Sequence, residues 1–181
     1  MPVEGVRMKI GFIVREVSED SPQGRWTLAL VKAASSRGDE PHVISEKVSA
    51  GKVAAAGGQA HIIDPVKCGG AFGRWVFARR VLREMKAEPL DLLISAGDVA
   101  DADILLVPDS PTAGPSQKTI RKALKRAKFK TVVVPSAAVK AAVVEDYGVP
   151  AERVVVAGPP APGASDAEWT NRAIAFWSAV A

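Results

Sequence analysis

Three groups of residues have types and spacings that chemistry could use. The first is the polar stretch from Arg15 to Gly24, set between an apolar run (Met8, Ile10, Phe12, Ile13, Val14) and a segment of helical periodicity. A loop that carries the chain from a strand end to a helix N-terminus offers free backbone amides and the positive end of the helix dipole. That setting suits a phosphate or a sugar, and Gln23, Gly24 and Arg25 are its ligand-binding candidates. The simpler role for Gly24 is to let helix and strand pack closely. The second group is Asp98, Asp101, Asp103 and Asp109, clustered around strand ends. Paired carboxylates can do acid–base or metal work, whereas turns and caps use such aspartates more often. Asp98 and Asp109 stay as pocket candidates. The third group is Ser136 with Lys140, four residues apart on one helical face. Ser136 serves most simply as a helix cap, and contact with a ligand phosphate is the other use of the pair.

Other chemistries are disfavoured. A single cysteine, Cys68, excludes an internal disulfide and a cysteine-based zinc cluster, and two histidines, His42 and His61, argue against a histidine-rich metal site. Both histidines lie in or beside strands and read as packing residues. Cys68 precedes two glycines in an expected turn, with nothing to mark it as reactive. No dinucleotide fingerprint or phosphate loop is present, so neither nicotinamide chemistry nor any bound cofactor or metal is expected. Lys118, Arg121, Lys122, Lys125, Arg126, Lys128 and Lys130 form a run without an acid among them. With Arg74, Arg79, Arg80 and Arg83 they could build one cationic surface for an anionic membrane, the plainer reading being a solvated helix face. Few aromatics interleave with the charges, so nucleic acid is not expected.

The elements that must position these residues follow from periodicity. The chain has 181 residues, 48% of them hydrophobic and 24% charged, with a formal charge of +4, as in an ordinary soluble domain. It shows no leader peptide and no run of transmembrane length, which makes a cytoplasmic protein the expectation. Met8–Val14 reads as a strand buried on both faces. A helix opens at Gly24 and is stopped by Gly38, and a strand covers His42–Ser45. Glu46–Gly58 could carry a short helix, and Ala60–Ile63 a third strand. A marked helix then has Phe72, Trp75, Val76, Val81, Leu82 and Met85 as its apolar stripe, with arginines as its polar surface. Strands are expected at Leu90–Ser95, Asp103–Val107, Thr131–Val134 and Arg153–Ala157, and helices at Ser116–Lys128 and after Ser136. A final helix, capped by Ser165, aligns Trp169, Ala173, Phe176, Trp177 and Val180 on one side. The alternation specifies an α/β fold, a single doubly wound, mainly parallel sheet with helices on both faces. Residues 1–160 would form the domain, and 161–181 a linker and a helix packing back on it.

The pattern also resembles a known family. Gln23-Gly24, then Leu28-Ala29-Leu30-Val31-Lys32-Ala33, then Arg37-Gly38-Asp39-Glu40-Pro41-His42-Val43-Ile44 resemble the opening of family 4 of the retaining glycosyltransferases. Those enzymes have the GT-B fold, two Rossmann-like domains facing a cleft. Val132-Val133-Val134-Pro135-Ser136, Asp146-Tyr147-Gly148-Val149-Pro150 and Gly158-Pro159-Pro160 are similar to the end of the family's N-terminal domain and its hinge. The stretch Gly97–Asp103 is similar to members that glycosylate lipopolysaccharide core sugars. Two departures stand out: Gln23 replaces the first glycine of a pair, and proline and alanine stand where the hinge has asparagine and glycine. The resemblance implies an acceptor-side half, with the donor domain and its paired glutamates absent, which would not be catalytic alone. It implies as partners a sugar or phosphate-bearing acceptor, a separate C-terminal GT-B domain, and an anionic membrane surface met by Lys118, Arg121, Lys122, Lys125 and Arg126. Peripheral placement at the inner membrane would follow. An engineered or naturally minimal half-enzyme, a ligand-free stability-engineered scaffold, and another small nucleotide-binding α/β domain all remain open.

Overall fold

A computed structural model describes residues 7–65, 70–87, 89–99, 101–107, 117–126, 128–161 and 163–180. The chain forms two compact units, Met1–Leu92 and Leu93–Ala181. In each unit parallel strands alternate with helices in the Rossmann-like manner, in line with the expected α/β fold class.

In the first unit β1 (Lys9–Ile13) pairs with β3 (Glu40–Ser45), which pairs with β5 (Gln59–Ile62), all parallel. Near-continuous burial along β1 and β3 is what a sheet covered on both faces requires. Two short strands, β2 (Glu16–Val17) and β4 (Lys47–Val48), pair in parallel beyond the ends of β1 and β3. Residues 15–23 are therefore more than a loop: β2 lies within them. Helix α1 (Pro22–Ser36) begins two residues before the expected Gly24. Ser21 caps it, its Oγ accepting from the Gly24 amide at 3.0 Å, and Pro22 occupies a position where a missing N–H costs nothing. Gly38 follows the helix end at φ 92°, the left-handed conformation that ends helices. Helix α2 (Ala50–Ala55) is the short helix allowed for in the sequence.

Helix α3 (Gly70–Ala87) is where the expected inner stripe fails. Phe72, Trp75 and Leu82 face solvent, at 60%, 56% and 39% exposure, while Gly73, Phe77 and Val81 are buried. Val76 and Met85 are half-buried. Both stripes recur at helical spacing, and the one that packs includes a glycine and one large ring, so it can lie close to its neighbours. The expected turn around Cys68 lies outside the described residues, as does Asp109.

In the second unit β6 (Leu92–Ser95), β7 (Ile104–Leu106), β8 (Thr131–Val134) and β9 (Val154–Val156) follow one another in parallel order. Helix α4 (Gln117–Arg126) buries Ile120, Ala123 and Leu124 against Leu105, Phe129, Val132 and Val134. Helix α5 (Ala137–Tyr147) adds Val139 and Val143 to the same cluster. Helix α6 (Asp166–Val180) buries Trp169, Ala173, Phe176 and Trp177, and Phe176 meets Trp177 edge to face at 5.1 Å.

Candidate functional site

The carboxyl ends of parallel strands are where doubly wound sheets take their ligands. In the first unit these ends carry Arg15 after β1 and Glu46 after β3. Arg15 donates from Nε and Nη2 to Glu46 Oε2, at 2.9 and 2.6 Å. The Glu46 side chain is only 8% exposed, and its other oxygen, Oε1, is buried with no hydrogen-bond partner among the described residues. A carboxylate held in place by a guanidinium, with acceptor capacity to spare, can receive a hydroxyl. Ser45 supports this corner by donating to the Arg15 carbonyl at 2.9 Å, and the Arg15 guanidinium lies 6.0 Å from the centre of the Phe77 ring. Arg15 opens the polar stretch singled out in the sequence, whereas Glu46 was not among the candidates. The available signal was their shared position, one polar residue just past each of two apolar strand runs.

The candidates of the Arg15–Gly24 loop have local work as well. The Gly24 amide is taken by the Ser21 cap and the Arg25 amide by the Ser21 carbonyl, at 3.0 Å each. A Cβ on Gly24 would overlap the Ser18 backbone, with its carbonyl carbon at 2.7 Å, so the close-packing role of this glycine is visible. Gln23 is exposed, its carbonyl accepting from Thr27 Oγ1 at 2.9 Å, and Arg25 is half-buried.

A second feature of this unit joins β3 to β5. His42 Nδ1 lies 2.9 Å from His61 Nε2, with Glu40 3.5 Å from His42 and Glu84 of α3 3.6 Å from His61. The packing role expected of the two histidines thus includes a ring-to-ring hydrogen bond, which only the β3–β5 pairing could reveal. Nearby, Ile62, Ile63, Asp64, Arg80, Arg83 and Glu84 line a cavity of about 330 Å³.

In the second unit Asp98 is buried in the turn after β6. Ser95 organises that turn, its hydroxyl accepting from the Gly97 and Val99 amides at 3.3 and 3.1 Å, while Gly97 takes φ 93°. Asp103 is structural. It accepts from the Leu93 amide at 2.9 Å and pairs with Lys130 at 3.0 Å, and Asp101 pairs at the surface with Lys128 at 3.5 Å. Ser136 caps α5 by accepting from the Val139 amide at 3.3 Å. Lys140 donates to the Val154 carbonyl at 2.6 Å, tying α5 to β9. On α4, Arg121, Lys122, Lys125 and Arg126 are exposed, and Lys118 lies in the same helix. Among the described residues no group of three or more His, Cys, Asp or Glu could hold a metal ion, and no helix is long and apolar enough to cross a membrane.

Comparison with known proteins bears on the fold. A glycosyltransferase from Rickettsia africae ESF-5 superposes with a TM-score of 0.58 at 15% identity, covering 84% of this chain and 43% of its own. WaaG, a glycosyltransferase involved in lipopolysaccharide biosynthesis, gives 0.67 at 15% identity, covering 88% and 47%. Anabaena Alr3699/HepE, solved in complex with UDP and glucose, gives 0.54 at 19% identity, covering 85% and 45%. The chain thus spans less than half the length of each, and at these identities the likeness is one of fold, the Rossmann-like half of a GT-B glycosyltransferase. No curated protein matches the sequence. The sequence profile described as Glycosyltransferase Family 4 matches residues 23–161, most of the chain, and the chain belongs to that family.

Proposed function

We propose that the chain is the acceptor-side half of a GT-B glycosyltransferase, and that it transfers sugar only together with a donor-side domain. The observation that carries this reading is the Arg15–Glu46 pair at the carboxyl ends of β1 and β3, beside the N-terminus of α1. The guanidinium-held carboxylate stands at the strand ends where an acceptor would arrive, and the Gln23–Arg25 turn would flank that acceptor. In the second unit Asp98, buried in the turn after β6, is a separate candidate for a polar ligand contact. Ser136 and Lys140 are weaker candidates, because their polar groups already serve the cap and β9.

Glycosyl transfer needs the leaving diphosphate stabilised while the acceptor hydroxyl is held in line with the anomeric carbon. One acceptor wall does not supply both. The purified chain should therefore show no turnover of a nucleotide sugar, and activity should appear on mixing with a family 4 donor-side domain and fall when Glu46→Gln is used. Turnover by the chain alone would overturn the half-enzyme reading. Inactivity in the mixture, with no thermal shift from nucleotide sugars or lipopolysaccharide fragments, would favour the ligand-free scaffold.

A second reading concerns placement. The exposed Arg121, Lys122, Lys125 and Arg126 of α4, with Lys118 in the same helix, support salt-sensitive association with an anionic membrane. Each such cation near the surface contributes about 1 kcal/mol, and a Debye length of about 8 Å at physiological salt screens the attraction.

A further inference from the structure

Helix α3 and the end of β5 form the walls of a cavity outside the Arg15–Glu46 corner. Its volume of about 330 Å³ is lined by Ile62, Ile63, Asp64, Arg80, Arg83 and Glu84. That size lies toward the lower end of the range for small-molecule sites. The Ile63 amide donates to the Ser45 carbonyl at 2.8 Å, which keeps the end of β5 beside the end of β3, where Glu46 follows. Adjacent strands lie about 4.8 Å apart, so the cavity borders the corner proposed for the acceptor. Its polar walls are held in place. Arg80 is half-buried and donates through Nη1 to the Asp64 carbonyl, with further guanidinium N–H groups left over. The Glu84 carboxylate lies 3.6 Å from His61 Nδ1, and His61 Nε2 lies 2.9 Å from His42 Nδ1, so a pair of rings stands behind that wall. Two guanidiniums and two carboxylates leave the lining without net charge, and two isoleucines make part of it apolar.

We propose that this cavity binds one uncharged sugar unit, the neighbour of the reacting unit in an acceptor longer than a monosaccharide. The carboxylates of Asp64 and Glu84 accept from sugar hydroxyls, and the Arg80 and Arg83 guanidiniums donate to hydroxyl and ring oxygens. The C–H surface of the ring packs on Ile62 and Ile63. Charge decides the class of ligand. A phosphate drawn to the two arginines meets two carboxylates in the same space, and an ammonium drawn to the carboxylates meets the arginines. A nucleobase finds no aromatic ring among the described lining residues to stack on. The inference rests on the acceptor-side reading for the role of the sugar, and adds a second subsite that reading does not contain.

The test uses the full chain, isotope-labelled and titrated with the methyl glycosides of glucose, galactose and mannose, with glucuronate and with inorganic phosphate. At least one neutral glycoside should shift the amide NMR signals of Ile62, Ile63 and Asp64 and the Nε–H signals of Arg80 and Arg83. Arg83→Gln with Asp64→Asn should weaken that binding by about tenfold or more without moving the melting temperature, since both residues are exposed. Should that variant fail to fold, the shifts in the unaltered chain still decide. Shifts confined to Gly24, Arg25 and Glu46 would overturn the cavity assignment and leave the acceptor-side reading standing. Cavity shifts without sugar transfer on mixing with a family 4 donor-side domain would uphold the sugar site and overturn its place in an acceptor. No shift from any neutral glycoside would overturn the proposal, and so would tighter binding of glucuronate or of phosphate alone at the same residues.

Discussion

Helices α3 and α4 are both rich in cations, and they deploy their apolar residues in opposite ways. In α4 the apolar positions Ile120, Ala123 and Leu124 face inward, and Arg121, Lys122, Lys125 and Arg126 face outward. In α3 the buried face is Gly73, Phe77 and Val81, while Phe72, Trp75 and Leu82 stand among arginines in solvent. The difference teaches that helical period alone does not choose a face when a helix has two stripes. A face that includes glycine lets the backbone approach, and one buried ring can fill the remaining space. The larger surplus of apolar area stays outside, where it becomes available to a partner.

The comparison can be sharpened or broken by experiment. The largest effect is expected from α6, which follows the α4 pattern with its aromatics inward. Burial of Trp169, Phe176 and Trp177 is worth on the order of 2 kcal/mol each, so ending the chain after Gly163 should give aggregation or a lost melting transition. An unchanged melting temperature would remove α6 from the core.

Next comes a paired test within α3. Phe77→Ala should destabilise by about 3–5 kcal/mol, and Phe72→Ala by less than about 0.5 kcal/mol, read from denaturant midpoints. Leu124→Ala on α4 should cost about 2–5 kcal/mol. Equal effects at positions 72 and 77 would break the two-stripe description.

The smallest effect concerns the β2–β4 pair. Lys47 donates to Glu16 at 2.7 Å, and this hydrogen bond, with the attraction of the carboxylate, holds the ammonium above its usual range. A raised lysine value means that the stabilisation is present below the unfolded value of 10.5 and is lost as pH rises through the folded one. Because the pair is exposed, Lys47→Met should shift the melting temperature only slightly at neutral pH and erase what little alkaline dependence the pair supplies. A large shift at neutral pH would show that β2–β4 depends on this contact.

The sequence by itself determined the alternation of strands and helices, because buried parallel strands read as apolar runs and glycines such as Gly38 and Gly148 end helices at positive φ. It also carried the capping role of Ser136 and the close packing of Gly24, each a local demand of a helix start. Cation placement on α4 was legible too, since that helix has a single apolar stripe. Only the tertiary structure decided which face of α3 is buried, because the choice depends on the shape of the surface beneath it. The same holds for Lys140, whose ammonium reaches β9, and for His42 with His61, which meet across paired strands. It holds as well for Arg15 with Glu46, 31 residues apart, whose contact exists because β1 and β3 lie side by side in register. Local conformational preference is written residue by residue, whereas a contact between distant side chains is created by the pairing that brings their strands together.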